Sequence, residues 1–338
     1  MSNRLKTNYL GLDLANPFVP SSSPMTLDRD MPRQLEDNGA SAIVMHSLFE
    51  EELKHEHEQM HRFMHHQHIG HAEAHTYLPV HDEFMDARDR YLDQLEYLKN
   101  ALDIPVIASL NGITDSGWID HALELEKAGA DALEVNVFYI AADVNTSSAE
   151  VEARYLDILK HLKKTISIPV CMKLSDQFSA PVHFVRQLQE AGAAGVSLFN
   201  RFYVPNINLD TLHLEPEIML SNAHESLSRI RWIGIMRGQL DIDIACTGGM
   251  HTSQDIAKAL LAGANVTHLC SALLKNGPGY LTTLQGAFLE WMDEKEYESV
   301  DQLRGSLCQK NAIDPDAYER CNYLEVIDSY SHASGVHK

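Results

Sequence analysis

Apolar residues along the chain follow two alternating rhythms. One has the helical spacing, with a polar face opposite an apolar stripe. The other consists of short runs, about five residues long, that are apolar throughout, as strands buried on both faces of a parallel sheet are. The junction between them recurs: "DNGASAIVMHS" from 37, "KAGADALEVNV" from 127, "EAGAAGVSLFN" from 190 and "LAGANVTHLCS" from 261. Each reads as the end of a helix, a small-residue turn and an apolar strand, with glycine where a left-handed helix cap needs it. A second set alternates with the first: "DIPVIASL" from 103, "SIPVCMKL" from 167 and "DIDIACTG" from 241. The pattern predicts strands at 18–22, 41–46, 105–109, 132–137, 169–174, 195–200, 242–246 and 266–270, with helices at 87–101, 117–128, 148–165, 181–192 and 253–263.

Eight strand–helix units predict an α/β fold, a (β/α)8 TIM barrel. A doubly wound open sheet is the alternative, disfavoured because the Gly-Ala phrase recurs through both halves. Two stretches exceed ordinary loop length, 47–86 after the second strand and 201–222 after the sixth. Both insertions lie at the strand ends that carry chemistry in such barrels. Residues 293–338 read as a C-terminal helical extension, and 1–338 as a single domain.

The 338 residues, 44% hydrophobic, suffice for a large core. Asp and Glu number 48 against 27 Lys and Arg, a formal net charge of −21, which repels nucleic acid and anionic lipid. No apolar run approaches the roughly 20 residues of a membrane helix. The N-terminus "MSNRLKTNYLGLDL" has no apolar leader core, so a cytoplasmic protein is expected. The five cysteines, Cys171, Cys246, Cys270, Cys308 and Cys321, are scattered and expected as thiols, with no cluster suited to iron and sulfur.

The stretch "ACTGGMHTSQD" at 245–255 ends the seventh strand on Gly248-Gly249 and enters a helix. Such a turn serves either as an anion cradle or as an ordinary tight connection. With "LCSALLKNGP" closing the eighth strand, it occupies the usual phosphate position of the barrel, where the backbone N–H groups of Gly248, Gly249, Ser271 and Ala272 can hold a phosphate.

The strand ends also spell an order: "NPFVPSSSP" at 16–24, "EVNV" at 134–137, "MKL" at 172–174, "FN" at 199–200, then "TGG" and "SAL". In this order they resemble the dihydroorotate dehydrogenase family, FMN-binding oxidoreductases, over roughly residues 8–285. The resemblance implies FMN as cofactor and hydride transfer between a small substrate and flavin N5. It makes Lys173 the cation that favours the reduced flavin, and Asn136 and Asn200 the amides at flavin or substrate. Ser21 and Ser22 match the segment lying against the flavin ring.

Two positions depart from the family pattern. A lysine is expected at the end of the second strand, where this chain reads Met45-His46-Ser47. A Cys or Ser base, followed by Pro-Asn, is expected after the fourth strand, where the chain reads Asn136-Val137-Phe138-Tyr139-Ile140-Ala141. Tyr139 falls on the base position, and tyrosine, ordinarily at pKa ~10, is a poor base at neutral pH. Ser147 and Ser148 are the nearby substitutes.

Residues 54–75, "KHEHEQMHRFMHHQHIGHAEAH", place His57, His61 and His65 at helical spacing that suits a metal. The plainer reading is a solvated lid or dimer-contact helix, and no metal is expected. Three readings follow. The first is an FMN oxidoreductase on a small planar or unsaturated substrate, with a homodimer expected. The second is a flavin-binding accessory subunit or altered homologue serving an electron-transfer partner. The third is a flavin-free barrel enzyme with a phosphorylated substrate.

Overall fold

The computed structural model describes residues 3–53, 55–56, 85–112, 115–201 and 204–320. His57, His61 and His65 fall outside these, as does Cys321. Two short strands, β1 (Thr7–Tyr9) and β2 (Leu12–Leu14), form an N-terminal hairpin. The barrel strands follow in parallel: β3 (Phe18–Pro20), β4 (Ile43–Phe49), β5 (Val106–Gly112), β6 (Ala132–Val137), β7 (Val170–Leu174) and β8 (Gly195–Leu198). An antiparallel arm, β9 (Pro205–Asn208) and β10 (His213–Pro216), precedes the last two, β11 (Asp243–Thr247) and β12 (Val266–Leu269).

Helices cover the sheet: α1 (Met31–Asp37), α2 (Ala87–Ala101), α3 (Asp115–Lys127), α4 (Ser148–Thr165), α5 (Pro181–Glu190), α6 (Ser226–Arg237), α7 (Ser253–Ala262), α8 (Ser271–Asn276) and α9 (Tyr280–Glu294). The eight-stranded sheet runs β3-β12-β11-β8-β7-β6-β5-β4, so the chain's first and last barrel strands are neighbours. The seam between β3 and β4 is closed by Ser41, whose N–H and hydroxyl both donate to the Phe18 carbonyl, at 3.2 and 3.3 Å. The expected (β/α)8 barrel is the fold observed.

One hydrophobic cluster fills the space between strands and helices, and a smaller one fills the barrel floor. The floor cluster joins Val44, Ile107, Ala132, Cys171, Ala245 and Val266 of the strands to Tyr9, Leu10 and Leu14 of the hairpin. The hairpin is therefore a plug. Its turn holds Leu10 and Gly11 at φ 57° and 75°, the left-handed pair that a two-residue hairpin turn needs. Leu10 accepts that conformation because its side chain is buried against Gly195, where an added Cβ would stand 2.6 Å from Leu10 Cδ2.

The second strand continues beyond 46 to Phe49, since Ser47, Leu48 and Phe49 pair with Ser109, Leu110 and Asn111 after a register shift. Met45 and His46 occupy that irregularity. The stretch at 201–222 contains the β9–β10 arm. Beyond α9, a short helix α10 (Val300–Leu303) and a 3-10 turn (Pro315–Tyr318) pack on α6 and α7, with Gln309 N–H on Gly234 O and Gly305 N–H on Leu260 O, both 2.9 Å. The four described cysteines are free thiols.

Candidate active site

Alternation along a strand puts every second side chain into the barrel. On β6 these include Glu134 and Asn136, and on β7 Cys171 and Lys173. Register pairs Glu134 with Cys171 and Asn136 with Lys173. Lys173 thus stands level with Asn136 and reaches back one layer to Glu134, its Nζ donating to Oε1 at 3.1 Å. Glu134 is 1% exposed and Lys173 8%, so this is an interior ion pair rather than a lysine extended into solvent. From β12, His268 places Nδ1 3.6 Å from Glu134 Oε2 and 3.3 Å from Ser197 Oγ. Burial pushes its pKa down to about 4, which leaves the imidazole neutral at neutral pH. Lys173 is therefore the positive charge of this layer among the described residues. Beside it runs a line of hydroxyls, Ser22 to Ser47 at 3.2 Å and Ser47 to Ser109 at 2.8 Å.

At the strand ends Asn200 donates from Nδ2 to Asn136 Oδ1 at 2.7 Å, while its N–H is held by Leu174 O at 2.6 Å. The structure therefore brings Asn136, Lys173 and Asn200 together. Ser21 extends the β3–β12 ladder by donating its N–H to Leu269 O at 2.8 Å.

After β11, Gly248 and Gly249 turn at φ 90° and 80°. A Cβ on Gly249 would lie 2.4 Å from Ser226 N, and one on Gly248 3.2 Å from the Arg229 guanidinium. Glycine is thus required here by the approach of α6, quite apart from any anion. Arg229 locks the turn, donating from Nε to Thr247 O at 3.1 Å and from Nη1 to Glu225 O at 2.6 Å. Thr252 then starts α7 with a capping box to Asp255. By contrast α8, which begins at Ser271, has Cys270 at its cap position and no side-chain cap. Ser221 is tied beside it by three bonds: its N–H to Ser271 Oγ at 3.1 Å, its hydroxyl to His251 Nε2 at 3.0 Å, and its carbonyl from Lys275 Nζ at 3.1 Å. Burial lowers the His251 pKa, so that imidazole also favours its neutral form.

Residues 4–292 match the family described as dihydroorotate dehydrogenase. The chain belongs to the dihydroorotate dehydrogenase family. It is 23% identical over 325 residues to the dihydroorotate dehydrogenase B (NAD(+)) catalytic subunit of Thermoplasma volcanium, covering 89% of this chain and 97% of that one. The same-named subunit of Pyrococcus abyssi is 25% identical over 318 residues, covering 89% and 98%. Dihydroorotate dehydrogenase A (fumarate) of Lactobacillus delbrueckii subsp. bulgaricus is 29% identical over 180 residues, covering 51% and 57%. The family is generally FMN-dependent, and this chain is, like its members, an oxidoreductase acting on CH–CH groups. Among the described residues no helix is long and apolar enough to cross a membrane, and no group of three or more His, Cys, Asp or Glu is placed to hold a metal.

Set in the dihydroorotate dehydrogenase pattern, the two departures take physical form. His46 stands where a lysine was expected. Its ring packs against Tyr91 with centroids 4.8 Å apart, and its Nδ1 is 3.3 Å from Thr26 Oγ1. Burial pushes its pKa down to about 4, so His46 itself brings no positive charge to the lysine's place at neutral pH. Tyr139 is half-buried and lies under the Arg154 guanidinium of α4, 4.2 Å from the ring centroid. Ser147 and Ser148 are exposed, and Ser147 is engaged as the cap of α4, its hydroxyl 2.7 Å from Glu150 Oε2. Sequence reading passed over Glu134, His268, Arg229 and Ser221. Glu134 and His268 carried a signal, a charged and an imidazole side chain inside otherwise apolar strands; Arg229 and Ser221 did not stand out from ordinary helix and loop polarity.

Proposed function

We propose that the mouth of this barrel holds FMN and a small planar or unsaturated substrate. The observation that carries the reading is the convergence of buried Lys173 with Asn136 and Asn200 at the ends of three strands. This donor set fits the group: a fixed cation, two amides and an uncapped helix start beside a tight turn. The N–H groups of Gly248, Gly249, Ser271 and Ala272 would hold the phosphate, and Ser21 and Ser22 would line the ring. Bound there, FMN supplies a two-electron acceptor for hydride from a CH–CH substrate. Lys173 contributes positive charge that favours the reduced form. Asn136 and Asn200, fixed against each other, orient the substrate.

Removing hydride from one carbon requires a base for the proton on its neighbour. The motif order puts Tyr139 at the base position, and a phenol is an unsuitable general base for this step. Oxidation of dihydroorotate itself is therefore expected to be slow or absent. The neutral His46 and the Arg154-stacked Tyr139 favour a second reading, a flavin-binding subunit that exchanges electrons with a partner protein. The Thermoplasma volcanium relative, by its name, is one subunit of an NAD(+)-linked enzyme. A homodimer fits the apolar face of the β9–β10 arm.

Denaturing the purified protein and identifying the released flavin by chromatography tests the cofactor. FMN is expected; release of FAD, or no flavin after reconstitution, rejects the reading. Anaerobic mixing with dihydroorotate should leave the bound flavin oxidised. Turnover at ordinary enzyme rates, roughly 1–10³ per second, would show that another group serves as base.

A further inference from the structure

Lys173 does not act alone. Its ammonium is 3.1 Å from Glu134 Oε1, and Glu134 is 1% exposed. The carboxylate comes from the layer below, on the side of Lys173 away from the strand ends. Its other oxygen, Oε2, has no hydrogen-bond partner among the described residues, and the imidazole 3.6 Å away is neutral. Lys173 is thus the group that balances the buried carboxylate. A bare charge and an ion pair act differently at a distance. The field of an opposed pair falls off faster than that of a single charge. The carboxylate anchors the Lys173 ammonium at 3.1 Å and weakens what its charge does toward the mouth.

We propose that Glu134 is a positioning residue that holds the Lys173 ammonium in the barrel and attenuates its stabilisation of the reduced cofactor. The proposal rests on the FMN reading above. It assigns to a buried carboxylate outside the expected site residues the task of setting the flavin potential.

Midpoint potentials of the FMN-loaded wild type, Lys173→Ala and Glu134→Gln, measured by anaerobic titration near neutral pH, test it. Lys173→Ala should lower the potential and Glu134→Gln should raise it. Each tenfold change in relative affinity for reduced over oxidised flavin appears as about 30 mV for a two-electron couple. Glu134→Asp keeps both charges but withdraws the carboxylate by one methylene; it should move the potential the same way by less, and it is the variant to measure where Glu134→Gln does not fold. A carboxylate serving packing alone would leave the potential in place. An unchanged potential in the Glu134 variants, beside a lowered one in Lys173→Ala, overturns the proposal and leaves the FMN reading standing. A wild type without FMN, or an unchanged potential in Lys173→Ala, overturns that reading and the proposal with it.

Discussion

His46 and His268 are each held by burial at a pKa of about 4. In an unfolded chain a histidine titrates near 6.5. Between these values the unfolded state binds protons that the folded state does not, so stability falls as pH drops from about 6.5 toward 4. One histidine so placed costs about 1.4 kcal/mol per pH unit across that window, and the two together about 3. Asp243 works the other way, since burial raises its carboxyl. The urea midpoint should therefore decline steeply below pH 6.5, and His268→Gln should remove about half of that decline. Gln at 268 keeps an amide that can reach Ser197 but cannot take up a proton. Equal slopes for variant and wild type between pH 4.5 and 7 would show that His268 does not carry this sensitivity.

At the scale of elements, the barrel was legible because its strands are buried on both faces and its helices on one. Periodicity therefore marked α2 (Ala87–Ala101) and α4 (Ser148–Thr165) residue for residue. The N-terminal hairpin was not legible. Its turn, Tyr9-Leu10-Gly11-Leu12, places a leucine at positive φ, a conformation that only the tertiary pocket opened by Gly195 explains. The extension of β4 to Phe49 was hidden for a similar reason, because polar Ser47 follows an irregularity that only the pairing with β5 reveals. Strand order proposed Lys173, Asn136 and Asn200 as site residues; register sets the first two level, and a side-chain hydrogen bond joins Asn200 to Asn136. The glycine pair drew attention as an anion turn, whereas contact with Ser226 and Arg229 explains it without any ligand. Glu134 was passed over because an isolated acidic residue in an apolar run shows neither its partner nor its depth until strands β6 and β7 are set side by side.

For the whole molecule, the β9–β10 arm raises a question of partnership. Its two strands pair Leu214 with Ile207 and Glu215 with Asn206. Asn208 donates to Glu215 Oε1 at 3.0 Å and Asn206 to Glu217 Oε2 at 2.5 Å, making a polar network on the ribbon. Ile207 and Leu214 lie 59% and 70% exposed, with Leu209 at 82% beside them. A two-stranded ribbon is marginal alone, and clustered exposed apolar side chains mark an association surface. A second copy of the chain is the occupant proposed above, and its approach is opposed by the net charge of −21 on each molecule. The two effects respond differently to salt. Long-range repulsion is screened as the Debye length shrinks from about 30 Å at 0.01 M to about 3 Å at 1 M, while apolar burial is not weakened. Dimerisation followed by light scattering should therefore strengthen as salt is added. Replacing Ile207, Leu209 and Leu214 together by Ser should give a monomer that retains the thermal midpoint of the barrel, since these side chains lie outside both core clusters. A wild type that is monomeric at every salt concentration, or a triple variant that still pairs, would remove the arm as the contact between copies.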